Sequence, residues 1–235
     1  MIDGKKVLAI TLARGGSKGI YKKNIVNLAG KPLIQYTIDE IRKSAYIDHY
    51  YISTEDDDIR KVCSTLGVSV IKRPSEFASD TATSSSALIH AVQIAGGGGV
   101  EYDYVVEVMV TNPLKTAVDI DGCIEKLHET GAMSVVSVVQ LFDHHPARIK
   151  YIDNDVLCDF YPEILESRRQ DLSPPAYIRN GSIYAMKTEF LLKKLARYDK
   201  NSRPYIMPQD RTINIDELMD LYVADAIINN KFIRN

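Results

Sequence analysis

The chain has little of what would place it outside the cell, in a membrane or on nucleic acid. Its three cysteines, Cys63, Cys123 and Cys158, are far apart, with no Cys-x-x-Cys pair and no metal-finger spacing. That excludes a disulfide framework and fits a reducing compartment. The formal net charge is only −2, so nothing draws the whole molecule toward a polyanion, and any basic cluster acts locally. No segment approaches the roughly 20 apolar residues of a membrane span. The first apolar run is interrupted at its start by Asp3, Lys5 and Lys6, and no small-residue cleavage site follows it, which argues against a signal peptide. Repeats and low-complexity segments are also missing. The expectation is a soluble, cytoplasmic protein that binds neither nucleic acid nor membrane.

What is present is a chain of 235 residues, 45% hydrophobic and 26% charged, suited to one α/β domain with or without an excursion. Short β-branched runs alternate with segments of helical period, the pattern of a parallel sheet with crossover helices. Strands are expected at 7–12, 50–53, 68–71, 104–110, 133–139 and 183–186. Helices are expected from Pro32, around Ile59 to Leu66 with Gly67 as the stop, around Leu88 to Ala95 before the tetraglycine Gly96 to Gly99, at 118–130 and at 189–195. Ile215, Leu218, Met219, Tyr222, Val223, Ala226 and Ile227 read as the apolar face of a terminal helix. Between about 142 and 182 the rhythm becomes Pro-rich and aromatic-polar, as in an excursion that covers a site or meets a second subunit. Residues 1–141 and 183–235 would then form the core.

One loop carries most of the chemistry. After the strand 7–12 come Gly15, Gly16 and Gly19 with Arg14, Lys18, Lys22 and Lys23, a combination suited to a nucleoside triphosphate. It matches neither Gly-x-x-x-x-Gly-Lys-Ser/Thr nor Gly-x-Gly-x-x-Gly; here side-chain cations supplement backbone N–H groups, arginine as a planar fork and lysine as a point charge. The failed dinucleotide pattern also disfavours a nicotinamide oxidoreductase. A solvated basic turn is the bland alternative, weakened by the loop's place at the carboxyl end of a strand. Taken alone, Arg73 reads as a surface arginine before a proline turn, Asp80, Thr81, Thr83 and Ser84 as a helix N-cap cluster, and Asp216, Glu217 and Asp220 as a helix start. His144 and His145 are adjacent on an extended segment and point to opposite faces, which favours a structural or lining role over joint ligation.

Together these segments resemble the acylneuraminate cytidylyltransferases, the CMP-sialate or CMP-nonulosonate synthetases. The resemblance rests on Ala-Arg-Gly-Gly-Ser-Lys-Gly-Ile-x-x-Lys-Asn at 13–24, Leu28-Ala29-Gly30-Lys31-Pro32-Leu33-Ile34, Arg73-Pro74 with Asp80 to Ser84, Thr111-Asn112-Pro113-Leu114, His144-His145-Pro146, Arg169-Gln170, Asn180-Gly181-Ser182-Ile183-Tyr184 and Asn214-Ile215-Asp216. These occur in the family's order over nearly the whole chain. The resemblance implies a three-layer, Rossmann-like nucleotidyltransferase fold with a mostly parallel sheet and a small dimerisation excursion at 142–182. It implies transfer of CMP from CTP to the anomeric hydroxyl of a nine-carbon 2-keto sugar acid, with release of pyrophosphate, and a homodimer. Arg14, Ser17, Lys18 and Lys23 would hold the triphosphate, with Asn24 near the α-phosphate; Arg73, Ala82 and Ser84 would read cytosine. Magnesium would sit on Asp216, with Asn214 standing where the family has an aspartate and so supplying one charge less. Arg14, Lys23 and Asp216 are the expected catalytic set.

The sugar acid would meet Met109, Arg169, Gln170, Arg179, Asn180 and Tyr184. Met109 replaces a glutamine of the family, which suggests a sugar other than N-acetylneuraminate, such as legionaminate or pseudaminate. The family's Phe-Phe feature is not evident near Tyr198. The competing readings are a Kdo-type enzyme for an eight-carbon acid, disfavoured by Thr111 to Leu114 and Asn180-Gly181, and a non-catalytic nucleotide-binding module, disfavoured by Asp216 beside a cationic loop.

Overall fold

In the computed structural model, which describes residues 1–229, the run Val7–Leu12 forms strand β1. It is buried almost throughout because both faces of the sheet are covered. Val7 and Ala9 enter one core cluster and Leu8 and Ile10 another, as alternate strand residues must. A small hairpin, β2 (Asn27–Leu28) and β3 (Lys31–Pro32), leads into helix α1 (Leu33–Ile41), for which Pro32 is the N-cap. Next come β4 (His49–Thr54), α2 (Asp57–Thr65), β5 (Val70–Lys72), α3 (Ser84–Gly96), β6 (Tyr104–Val108), α4 (Ala117–Thr130) and β7 (Ser134–Leu141). Caps explain several starts: Asp56 accepts from the amides of Asp58 and Ile59, Thr83 accepts from Ser86, and Thr116 and Asp119 make a reciprocal box.

A β8 (Lys150–Asp153) and β9 (Val156–Asp159) hairpin stands apart from the main sheet. The chain rejoins that sheet through β10 (Ala176–Lys187), then passes through α5 (Thr188–Lys194), β11 (Arg203–Ile206) and α6 (Leu218–Asn229). The main sheet has the order β11-β7-β10-β6-β1-β4-β5. β10 runs antiparallel to both neighbours, while the other pairings are parallel. Helix α4 packs on one face, α3 and α5 on the other, and α1, α2 and α6 gather around a third cluster with Leu28, Ile52 and Ile215. This is the expected three-layer α/β architecture with a mostly parallel sheet.

Four points differ from the sequence reading or refine it. β10 begins at Ala176, so the strand expected at 183–186 starts inside the stretch assigned to the excursion. The face expected for the terminal helix is turned outward: Leu218, Met219, Tyr222 and Val223 are 44 to 67% exposed, and Leu221, Ala224 and Ile228 pack inward instead. That helix is apolar around most of its circumference, so period alone does not select a face. Asp220 accepts from the amides of Asp216 and Glu217, and this contact fixes where the first turn begins. The expected core range 183–235 includes residues 230–235, which lie outside the described residues. His145 is buried, with Nδ1 accepting from Ala147 N–H and Nε2 2.8 Å from the carbonyl of Pro174; its role is structural.

The connection from β6 to α4 is anchored by a buried lysine. Lys115 Nζ lies 2.8 Å from Thr37 Oγ1, 2.7 Å from the Met109 carbonyl and 2.6 Å from the Asn112 carbonyl. These partners satisfy either protonation state, since a neutral amine can donate to both carbonyls and accept from the Thr37 hydroxyl. Burial therefore decides, and it pushes the pKa down to about 7 against the pull of Glu40 and Asp119. A folded-state pKa below the unfolded value of 10.5 means the unfolded chain binds more protons between these pH values, so this group makes stability rise over that window. Urea denaturation at pH 7.5, 8.5 and 9.5 should show the wild type gaining up to about 1.4 kcal/mol per pH unit relative to Lys115→Met. Parallel stability profiles would show that Lys115 stays charged.

Candidate functional site

β1 sits between β4 and β6, and the strand order turns at the β1–β6 boundary, the place where open α/β sheets bind ligands beyond their carboxyl ends. The loops leaving β1, β4, β5 and β6 meet there, joined by a bend in β10 where its pairing with β7 shifts between Arg179 and Tyr184. Gly181, at φ +61°, lies in that bend. They enclose three adjoining cavities of about 330, 620 and 540 Å³. Leu12, Arg14 and Met109 line both the first and second, while Gly181, Tyr184 and Asn214 line both the second and third.

The first cavity is bounded by Arg73, by Ala82, Thr83 and Ser84 at the start of α3, and by Glu107 and Met109. Arg73 is 5% exposed, unlike a free surface arginine, and its Nη2 donates to Glu55 Oε2 at 2.8 Å. The other oxygen of Glu55 accepts from Gly15 N–H at 2.7 Å. Arg73 Nε is buried without a partner, so the guanidinium is not fully satisfied by Glu55 alone. Thr83 serves as the α3 N-cap, so this segment caps the helix and lines the cavity at once.

The second cavity is the cationic one. Arg14, Ser17, Lys18, Lys23, Asn24, Thr111, Asn214 and Asp216 line it. Arg14 Nη1 and Lys18 Nζ grip the two oxygens of Asp80, at 3.2 and 3.1 Å. Lys18, through its hydrogen bond and charge, is the main reason the Asp80 carboxyl titrates below its ordinary range, with Arg14 adding to it. Lys23 Nζ donates to the Ile215 carbonyl at 2.9 Å and to Asp216 Oδ1 at 2.8 Å, and Asn24 Nδ2 donates to the Arg14 carbonyl at 2.8 Å. Asn214 Nδ2 donates to the second oxygen of Asp216, so residues 214 and 216 meet, although their segment is not a strand. Lys22 takes no part: it pairs with Asp56 and Asp58 at the start of α2, and those hydrogen bonds raise its pKa.

Arg179, Asn180, Tyr184 and Arg197 line the third cavity. Both ends of the Asn180 amide are engaged, Oδ1 with the Ser137 hydroxyl at 2.7 Å and Nδ2 with Met207 Sδ at 3.0 Å. Its side chain therefore supports the bend in β10 more than it faces the cavity. Arg169 and Gln170 are not brought to these walls; Arg169 lies over the Phe142 ring at 4.8 Å, on the excursion. The sequence reading missed Glu55, Glu107 and Arg197. Glu55 had one signal, an acidic residue just past the carboxyl end of a parallel strand; Arg197 had none.

A groove with a nucleobase-sized chamber, a cationic middle and a polar third chamber suits a nucleotidyltransferase, and comparison with known proteins agrees. Residues 8–228 match the family model described as Cytidylyltransferase. The chain belongs to the cytidylyltransferase family. Among curated relatives it is 29% identical over 224 residues to the pseudaminic acid cytidylyltransferase of Campylobacter jejuni strain 81-176, covering 94% of this chain and 96% of that protein. It is 30% identical over 218 residues to the N-acylneuraminate cytidylyltransferase of Streptococcus agalactiae strain NEM316, covering 90% of this chain but 50% of that protein. A CTP-bound CMP:2-keto-3-deoxy-manno-octonic acid synthetase has the same fold, with a TM-score of 0.72 and 15% identity over 95% of this chain and 98% of that one. The resemblance carried by the sequence motifs is thus borne out, as are the Rossmann-like fold and the nucleotidyltransferase class.

The position of the cationic loop depends on a backbone contact. A Cβ on Gly19 would lie 2.4 Å from the carbonyl oxygen of Asp216, a backbone atom that Lys23 also helps hold through Asp216 and the neighbouring Ile215 carbonyl. Gly19→Ala should therefore separate the loop from Asp216 and lower kcat/KM for CTP turnover by about tenfold or more, in keeping with the sensitivity of reactions to misplaced groups. Steady-state kinetics would check this; an unchanged kcat/KM would show that the loop shifts freely.

Proposed function

We propose that this cytidylyltransferase transfers CMP from CTP to the anomeric hydroxyl of a nine-carbon 2-keto sugar acid, a nonulosonic acid of the sialic, legionaminic or pseudaminic type, in the cytoplasm. The observation that carries the reading is the sequence of three chambers, with the ring of Arg14, Lys18 and Lys23 between the one beside Arg73 and the one beside Arg179. Similarity to the pseudaminic acid and N-acylneuraminate enzymes supports the choice of acid.

In this reading the anomeric hydroxyl gives up its proton to solvent as its oxygen bonds to the α-phosphorus, the bond to the β-phosphate bridging oxygen breaks, and pyrophosphate leaves with the electrons of that bond. Arg14 and Lys18 exchange Asp80 for phosphate oxygens, and with Lys23 they stabilise the charge that grows on the leaving group. Arg73, fixed by Glu55, presents its guanidinium to the base, while the backbone around Ala82 and Ser84 supplies further polar groups. Met109, at the junction of the first two chambers, contributes bulk without an amide.

Among the described residues no cluster of three His, Cys, Asp or Glu side chains could hold a metal unaided. Magnesium is commonly bound by one or two carboxylates together with substrate phosphates, and Asp216, with the Asn214 amide beside it, fits that mode. When bound there, the ion would neutralise phosphate charge and orient the α-phosphate.

The excursion supports a homodimer. Ile152, Val156, Leu157, Phe160 and Leu165 are all exposed on it, an apolar surface of the kind that a second copy buries. In a dimer Arg169 and Gln170 would serve the partner's third chamber.

Pyrophosphate release with CTP, magnesium and a panel of nine-carbon 2-keto acids tests the reaction; release with an eight-carbon acid alone would sink the proposal. Arg14→Ala and Asp216→Ala should each lower turnover by about 100-fold or more while the circular dichroism spectrum stays native, and near-normal rates in either would remove that residue from the mechanism. Light scattering should give twice the chain mass for the wild type and a single chain mass for Leu157→Lys. A monomeric wild type would overturn the dimer.

A further inference from the structure

The centre of the sheet carries one carboxylate. Glu107, on β6, sits opposite Tyr184 of β10 and is 1% exposed. Arg197, from the loop after α5, donates through Nη1 to Glu107 Oε2 at 2.7 Å. Burial pushes the Glu107 carboxyl up and Arg197 only partly opposes it, so the pair stands where desolvation is costly and where loss of one partner would strand a charge. The same guanidinium lies 4.3 Å from the centre of the Tyr184 ring. Tyr184 stacks at 6.1 Å on Tyr198, and Arg179 lies 4.4 Å from the Tyr198 ring. Two arginines thus bracket a pair of tyrosines beside the third chamber, and both line it.

The two arginines differ in charge balance. Arg197 is neutralised by Glu107 and held rigid by it; Arg179 is exposed and has no carboxylate partner among the described residues. A second anion placed on Arg197 would stand near the buried Glu107 carboxylate, a like-charge contact in a region of low dielectric. A neutral oxygen has no such conflict and still gains a hydrogen bond from a charged donor.

We propose that Arg197, clamped by Glu107 against Tyr184, is a specificity residue that takes a neutral oxygen of the sugar chain, a hydroxyl or an amide carbonyl, and leaves the carboxylate to Arg179. The inference rests on the sugar-acid reading above and refines it by dividing the third chamber into a neutral and an anionic half.

Because Arg197→Met alone leaves Glu107 unpaired, the test also uses the double variant Glu107→Gln with Arg197→Met. With CTP saturating, kcat/KM is measured by pyrophosphate release for an accepted sugar acid, for analogues each lacking one hydroxyl or acylamino oxygen, and for the methyl ester of the acid. In the wild type one oxygen deletion should cost about 10- to 100-fold. In the double variant that penalty should fall below about threefold, while the ester penalty stays as in the wild type. If the ester penalty shrinks instead, Arg197 reads the carboxylate and the proposal is wrong. If no penalty changes, the pair serves the fold alone and the proposal is equally wrong. A wild type that accepts no sugar acid sinks the proposed reaction itself, and this inference with it.

Discussion

The nucleotide half of the groove depends on Glu55. Its carboxylate leaves the end of β4 and spans from Gly15 N–H, in the phosphate loop, to the guanidinium of Arg73, beyond β5. Three consecutive parallel strands thereby share one anchor. The arrangement uses the whole capacity of a carboxylate, one oxygen for a backbone amide and the other for a buried cation, so neither partner is left unpaired in a place where that is costly. Without it, Arg73 would be an unbalanced buried charge and the glycine-rich turn would lose its only side-chain tie of this kind among the described residues. The loop's other ties repeat the logic: Lys22 to Asp56 and Asp58, Lys23 to Asp216 and the Ile215 carbonyl. A segment rich in cations is held still by carboxylates, and three of those paired cations, Arg14, Lys18 and Lys23, face the middle chamber.

Most of the fold was legible because it follows from periodicity. Val7–Leu12 alternates between two cores, Gly67 ends a helix at φ +65°, and the tetraglycine stops α3 at Gly96; each of these is local physics. The phosphate loop, Arg73 and the 214–216 pair were legible through their motifs, and the fold brings them to a common groove. What escaped was set by tertiary contact. Glu107 sits in a strand that reads as apolar, Arg197 in a loop with no pattern, and only the antiparallel entry of β10 brings Tyr184 beside the pair. Lys115 looks like a surface lysine after a proline turn and is buried because two carbonyls and a threonine converge on it. The outward turn of Leu218, Met219, Tyr222 and Val223 was hidden for the opposite reason: too many apolar residues, so that no period discriminates.

Charge is divided across the molecule in a way that its near-neutral total conceals. The middle chamber is lined by Arg14, Lys18 and Lys23, while the nearby acids, Asp80 and Asp216, are paired with them. An arriving polyanion therefore competes with carboxylates already in place, and the strength of binding is the difference between two charge-assisted contacts. That arrangement tempers affinity for phosphate in general and favours ligands that can engage several of these cations at once.

β10 is both the floor of the third chamber and the stalk of the excursion. Its first residues, from Ala176 to Arg179, pair only with β7; beyond the bend, Ile183 to Lys187 lie against β6. The chain therefore has a continuous stiff member running from the outlying hairpin region to the middle of the sheet, with a single flexure at Gly181. A load applied at the outer end, such as the seating of a second copy, would be delivered at that flexure, between Asn180 and Tyr184. The bend at Gly181 is thus where the outlying region and the walls of the third chamber share one strand.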